Sequence, residues 1–147
     1  MPICYIGLGS NIGDRQKNIQ QAIQKISALK STVLIKASSF IETKPVGGPE
    51  QNDFINAAIE IKTDLSPHEL LSRLQEIESQ LGRVRTVKNG PRSIDLDILI
   101  FDEQKITEAD LVLPHPRIKE REFVLRPLRE IAPHLVESLV HEDSQKN

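Results

Sequence analysis

The sequence predicts an α+β fold, with helices packed on a mainly antiparallel sheet. The segments run strand, helix, strand, strand, helix, strand, which departs from the strict alternation of a doubly wound parallel sheet. Two helical segments each carry one apolar stripe at three- and four-residue spacing, and two strand segments alternate with period two. No internal repeat, low-complexity tract or linker breaks the pattern. One domain over residues 1–147 is expected, with a polar tail from about His141.

Ile3 to Leu8 reads as a buried strand that runs into Gly7-Leu8-Gly9-Ser10-Asn11. Gly13 and Asp14 open a helix whose stripe is Ile19, Ala22, Ile23, Ile26 and Leu29. Val33 to Ile35 suggests a second strand, running on toward Phe40. Thr43 to Pro49 is a loop, because its Gly and Pro content defeats helix and strand alike. Phe54 to Ile61 alternates, with Ile55, Ala57, Ile59 and Ile61 on one face and Phe54, Asn56, Ala58 and Glu60 on the other. Ser66-Pro67-His68-Glu69 is a capping box with Pro at the first helical position. Leu70, Leu71, Leu74, Ile77 and Leu81 form the stripe, and Gly82 suits the residue past the helix end. Ile94 to Phe101 is again a strand, with Ile94, Leu96, Ile98 and Ile100 on its core side. The remainder is punctuated by Pro, with one short helix expected from Glu120 to Leu128.

Lys and Arg number 19 against 21 Asp and Glu, a net charge of −2 that argues against a coat for nucleic acid or anionic membrane. With four Phe, one Tyr and no Trp, the core must be aliphatic. The single Cys4 removes an intramolecular disulfide framework and any Cys-based zinc cluster, and its apolar neighbours make it a small buried hydrophobe. No stretch approaches the roughly 18 apolar residues of a spanning helix, and no signal-peptide core follows Met1. A cytoplasmic location without membrane contact is expected.

Asp95 and Asp97 are the most informative pair. At i and i+2 on a strand they share a side, with Cα atoms roughly 6–7 Å apart. Two such carboxylates repel unless a cation sits beside them, and they suit a hard ion such as Mg²⁺ that takes its other ligands from water and phosphate. A lone D-x-D is more often an exposed polar strand face. Its neighbours favour phosphate handling: residues 83–92 hold Arg83, Arg85, Lys88 and Arg92 and no acid, in a loop broken by Gly90-Pro91. His115, Arg117, Lys119 and Arg121 add a second cationic cluster, in which His115 reads equally as a phosphate donor or a surface residue held by prolines. Phe54 and Asn56 could stack on a flat heterocycle and bond its edge; taken alone, Phe54 reads more simply as packing. His68 reads as a first-turn helix residue.

Lys88-Asn89-Gly90-Pro91-Arg92-Ser93-Ile94-Asp95-Leu96-Asp97-Ile98-Leu99 closely resembles the signature segment of the 6-hydroxymethyl-7,8-dihydropterin pyrophosphokinases of folate biosynthesis. Tyr5 to Asn11, Gln51 to Ala58, Gly82 to Arg85, and Pro114 to Arg117 with Arg121 and Phe123 resemble the family in the same order, over about Ile3 to Pro133. The resemblance implies an α/β/α sandwich with a ferredoxin-like core, and transfer of pyrophosphate from ATP to the pterin hydroxymethyl group with release of AMP. It implies two Mg²⁺ ions on Asp95 and Asp97. Arg83, Arg85, Arg92, His115 and Arg121 would hold the triphosphate, with Arg83 and Arg92 counted with the two aspartates as catalytic. Gln75 and Glu78, on the outer part of the second helix, and Ile98 would contact ATP. Phe54 and Phe123 would sandwich the pterin, Asn56 would read its edge, and Thr43 and Val46 would complete the pocket. Asn89 and Pro116 stand where some relatives carry aromatic residues. The expected partners are the two small-molecule substrates, with no nucleic acid and no membrane, and the chain is expected to be a monomer. A binding module that has lost catalysis, and a nucleic-acid binder using the basic loop, are the alternative readings.

Overall fold

The computed structural model describes residues 1–44, 51–82 and 93–144. Strand β1 (Ile3–Ser10) is central, paired antiparallel with β4 (Phe54–Thr63) on one side and β5 (Asp95–Phe101) on the other. β2 (Thr32–Ala37) pairs with the C-terminal half of β4, and β3 (Ile41–Thr43) with its N-terminal end, both antiparallel. Helix α1 (Arg15–Ser27) connects β1 to β2, and α2 (Pro67–Gln80) lies between β4 and β5. With the order β2-β4-β1-β5, these elements make the ferredoxin-like βαββαβ arrangement. No helix among the described residues is long and apolar enough to cross a membrane.

Local chemistry starts both helices. The Asp14 carboxylate accepts from the Lys17 amide at 3.1 Å and caps α1. The capping box of Ser66 and Glu69 forms, with each side chain bonded to the other's backbone. Gly82, at φ +82°, takes the left-handed position just past Leu81 that a side chain would resist. His68 in the first turn of α2 does more than the sequence suggested. Its Nε2 lies 2.8 Å from Glu108 and 3.5 Å from Asp110, tying the helix to the β6 (Ile106–Thr107) and β7 (Val112–Leu113) hairpin.

Strand alternation gives the sheet two apolar faces. Cys4, Ile6, Leu8, Ala57, Ile59, Ile61, Leu96 and Ile98 pack under α1 and α2, against Ile19, Ala22, Ile26, Leu70, Leu74 and Ile77. Burial pushes the Cys4 thiol well above its usual range. On the opposite face, Ala58, Leu99 and Ile100 meet Ile118 of a 3₁₀ turn (Ile118–Glu120), helix α3 (Glu122–Ile131) and helix α4 (Pro133–Ser144). The result is an α/β/α sandwich. Across that second face the Tyr5 hydroxyl donates to Glu60 at 3.0 Å, and burial first, then this bond, pushes its pKa up to about 12.

Three expectations change. Tyr5 faces Ile100 whereas Ile6 faces Ile98, so Leu99 is an extra residue on β5. This bulge reverses the alternation and sends Ile100 to the α3–α4 side, away from Leu96 and Ile98. The segment expected to be loop at Thr43 contributes to β3, whose backbone bonds to β4 outweigh its weak local signal. The chain's end holds a further helix: Pro133 opens α4 where its missing N–H is not needed, and the helix runs through His141 to Ser144.

Each layer carries its own core, and both should matter alike. Leu74 and Leu128 are fully buried on opposite sides of the sheet. Substituting either by Ala is expected to cost about 2–5 kcal/mol in urea denaturation; a negligible loss at Leu128 would show the α3–α4 layer to be dispensable.

Candidate active site

Residues paired across an antiparallel ladder share a face of the sheet. Gly9 of β1 stands opposite Asn56 on one neighbour and Asp95 on the other, and Gly7 stands opposite Ala58 and Asp97. Phe54 lies two residues before Asn56 and opposite Thr43. Thr43, Phe54, Asn56, Asp95 and Asp97 therefore lie on one face. It is the face that α3 and α4 cover only in part, over Ala58, Leu99 and Ile100. Thr43, Phe54, Asp95 and Asp97 stay half-buried at its uncovered end, while Asn56 is buried. Between the two aspartates and Asn56, β1 offers only glycine, so the floor is backbone.

The residues at this uncovered end are braced from behind. Asn56 Nδ2 donates to Thr43 Oγ1, which links β4 to β3. Buried Asn11, just past β1, donates through Nδ2 to Gln51 Oε1 at 2.7 Å and to the Asn52 carbonyl at 3.0 Å. Arg15 at the start of α1 donates to the Asp53 carbonyl at 2.9 Å and pairs with Glu42 at 3.3 Å. The residues leading into Phe54 are thus held by the end of β1 and the start of α1. A polar cavity of about 480 Å³ lies beside this bracing, lined by Asn11, Gly13, Arg15, Glu42, Gln51, Asn52 and Asp53. None of the residues named from the sequence for a site lines it.

The other wall comes from the chain around α3. The His115 amide donates to the Leu99 carbonyl at 2.8 Å, docking this segment on β5. Its ring Nδ1 accepts from the Arg117 amide at 3.3 Å, which leaves Nε2–H as the donor of a neutral ring. Burial, then the charges of Arg121 and Arg117, lower the His115 pKa, against an opposing pull from Asp95. His115, Arg121 and Asp95 are therefore electrostatic neighbours. The Arg121 guanidinium lies 5.7 Å from the centre of the Phe123 ring, a cation–π contact that sets both at the start of α3.

The remaining predicted residues divide. Gln75 is exposed on α2. Glu78 is not on the outer part of the helix: it is buried and accepts from the Leu96 amide at 2.9 Å. It falls four residues after Leu74, on the apolar stripe, so its position was readable as an acid among leucines and isoleucines. Its carboxylate satisfies backbone on the side of β5 turned away from β1. The Ile98 side chain is in the core, and its N–H and C=O share the outward parity of Leu96, so only its backbone faces that edge of β5. Arg83, Arg85, Arg92 and Val46 lie outside the described residues, as do Lys88 and Asn89. Asn11 and Arg15 drew no role from the sequence, because both act through contacts about 40 and 38 residues away.

Two measurements check this geometry. Folded His115 should titrate below its ordinary value of 6.5 in an NMR pH series, and Arg121→Ala should raise it. As pH falls through that window the unfolded ring protonates first, so His115 costs the fold stability on the acid side. Glu78→Ala should lose about 1–3 kcal/mol in denaturant, because the Leu96 amide is left without its acceptor; an unchanged midpoint would contradict the role.

A family model described as 7,8-dihydro-6-hydroxymethylpterin-pyrophosphokinase (HPPK) matches residues 5–133. The chain is 51% identical over 129 residues to the 2-amino-4-hydroxy-6-hydroxymethyldihydropteridine pyrophosphokinase of Bacillus subtilis, covering 88% of this chain and 77% of that protein. It is 46% identical to the folic acid synthesis protein fol1 of Pneumocystis carinii, covering 90% of this chain but 18% of that one. A crystal structure of Plasmodium falciparum HPPK-DHPS superposes with a TM-score of 0.67 at 16% identity, over 89% of this chain and 40% of that one, and at that identity it speaks for the fold alone. The profile match spans the strands that carry the aspartates and the asparagine, and the Bacillus relative is alike over most of both lengths; the chain belongs to the 7,8-dihydro-6-hydroxymethylpterin-pyrophosphokinase family.

Proposed function

We propose that residues 1–147 act as one catalytic domain that transfers pyrophosphate from ATP to the hydroxymethyl group of 6-hydroxymethyl-7,8-dihydropterin, giving the pterin diphosphate and AMP. The observation that carries this reading is the single sheet face shared by Thr43, Phe54, Asn56, Asp95 and Asp97. It sets groups suited to a flat polar ring on one side of β1 and an acidic pair on the other, along one trough.

Each group has a definable task. Asn56 spends one N–H on Thr43 and keeps a second N–H and its Oδ1 for the pterin edge. Phe54, and Phe123 at the start of α3, supply aromatic faces for stacking. Neutral His115, through Nε2–H, and Arg121 can donate to phosphate oxygens, and Arg121 brings a charge that does not titrate at neutral pH. Arg83, Arg85 and Arg92 would add the remaining guanidinium contacts, and Val46 a pocket contact. Gln75 and the Ile98 backbone would meet the nucleoside, while Glu78 acts by holding β5.

Asp95 and Asp97 fit magnesium: both are half-buried oxygen donors on one strand face, roughly 6–7 Å apart between Cα atoms, beside groups suited to phosphate. Two Mg²⁺ ions held there would offset charge on the bridging oxygens and favour in-line displacement. The protein's own work is positional. The braced β3–β4 corner orients the acceptor, and the cations orient the triphosphate, so the acceptor hydroxyl meets the β-phosphorus as the bond to the α-phosphate oxygen breaks.

With the reduced pterin, ATP and Mg²⁺, the nucleotide product should be AMP; chromatography showing ADP, or no pterin-dependent ATP consumption, would overturn the reading. Asp97→Ala should lower turnover by at least about 100-fold while circular dichroism shows the fold intact. A near-normal rate at saturating Mg²⁺ would remove Asp97 from the metal site.

A further inference from the structure

Gly9 has an extended strand conformation that any residue adopts, so its backbone does not require glycine. Gly13 and Gly82 differ, with φ of +72° and +82°. What distinguishes Gly9 is space. A Cβ built on it would lie 3.0 Å from Asn56 Oδ1 and 3.6 Å from Phe54 Cδ1. At Gly7 a Cβ would meet the Leu99 side chain, at 3.3 Å, a flexible tip in the α3–α4 core. The neighbour at Gly9 has less freedom to yield. Asn56 is buried and its Nδ2 is committed to Thr43 Oγ1. Moving Oδ1 away from a new methyl group would rotate the amide and break that bond.

We infer that Gly9 is a positioning residue for pterin recognition: its missing side chain leaves the space in which the Asn56 carboxamide holds the orientation that reads the heterocycle edge. This deepens the proposed function and rests on it. Gly9 touches the substrate through no side chain. It acts by what it leaves open, so its effect belongs to pterin affinity and not to nucleotide affinity.

The test is calorimetry of the full chain with 6-hydroxymethylpterin in the presence of a non-hydrolysable ATP analogue and Mg²⁺. Gly9→Ala should weaken pterin binding about 10-fold or more, the size expected when one added methyl forces a packed group to move, while analogue affinity stays unchanged. In an Asn56→Ala background the same Gly9→Ala change should cost nothing further, because the group it displaces is gone. Should Gly9→Ala alone fail to fold, the double variant should regain the melting temperature of Asn56→Ala. Unchanged pterin affinity in Gly9→Ala, an equal loss in both backgrounds, or no recovery of folding in the double variant would each overturn the inference. A wild-type chain that binds no pterin would instead overturn the proposed function on which it rests.

Discussion

The register of β1 against both its neighbours is the constraint from which the rest follows. One central strand places Gly9 between Asn56 and Asp95, and Gly7 between Ala58 and Asp97. Backbone hydrogen bonds hold that alignment, and a slip of one residue would turn every side chain to the other face. The residues proposed to bind the pterin and the metal lie on strands about 40 residues apart in the chain, yet ladder geometry makes them neighbours. Glycine on β1 keeps the space between them low. The trough is thus a property of a strand with glycine at positions 7 and 9 on one face and an apolar set, Cys4, Ile6 and Leu8, on the other.

The same sheet has to be buried on one face and only partly covered on the second. Helices α1 and α2 close the first face, which accounts for the aliphatic stripes on both. The bulge at Leu99 adjusts the second: it turns Ile100 to join Leu99 against α3 and α4 at the end of β5 remote from Asp95. Apolar packing therefore occupies one end of that face and polar chemistry the other. Phe101 is the one fully buried aromatic residue, whereas Phe54 and Phe123 stay partly exposed near the polar end. An aliphatic core leaves these two rings outside it.

Polar groups inside this framework serve geometry before chemistry. Glu78 satisfies the Leu96 amide, Asn11 holds the residues before Phe54, and Ser39 is bound by Glu130 of α3 through both its amide and its hydroxyl. That last contact lowers the Glu130 pKa and ties α3 to the connection between β2 and β3. His115 links the two functions: its backbone docks on β5 while its ring stays neutral, held so by burial and by Arg121. A wall braced in this way holds its groups at repeatable distances, which mobile arms would not.

Much of this was legible from local pattern. Period-two alternation in Phe54 to Ile61 gave the right two faces, the capping box started α2 where it was expected, and the D-x-D strand put two acids on one side. The bulge was not legible, because alternation continues in the sequence through Ile100 and only pairing with Tyr5 and Ile6 exposes the extra residue. Glu78 lies on the buried stripe although an acid usually faces solvent, because its carboxylate has the Leu96 amide to satisfy. α4 does not show in local pattern because proline usually ends helices, whereas Pro133 starts one. By itself the sequence determined the α+β class, the strands and helices, and which residue types could handle phosphate and a flat ring, since these follow from short-range periodicity and side-chain chemistry. Tertiary structure alone decided that Gly9 lies between Asn56 and Asp95, that Asn11 and Arg15 brace Phe54, and that α3 and α4 leave one end of a face uncovered, because ladder register and helix docking are set by contacts between residues far apart in the chain.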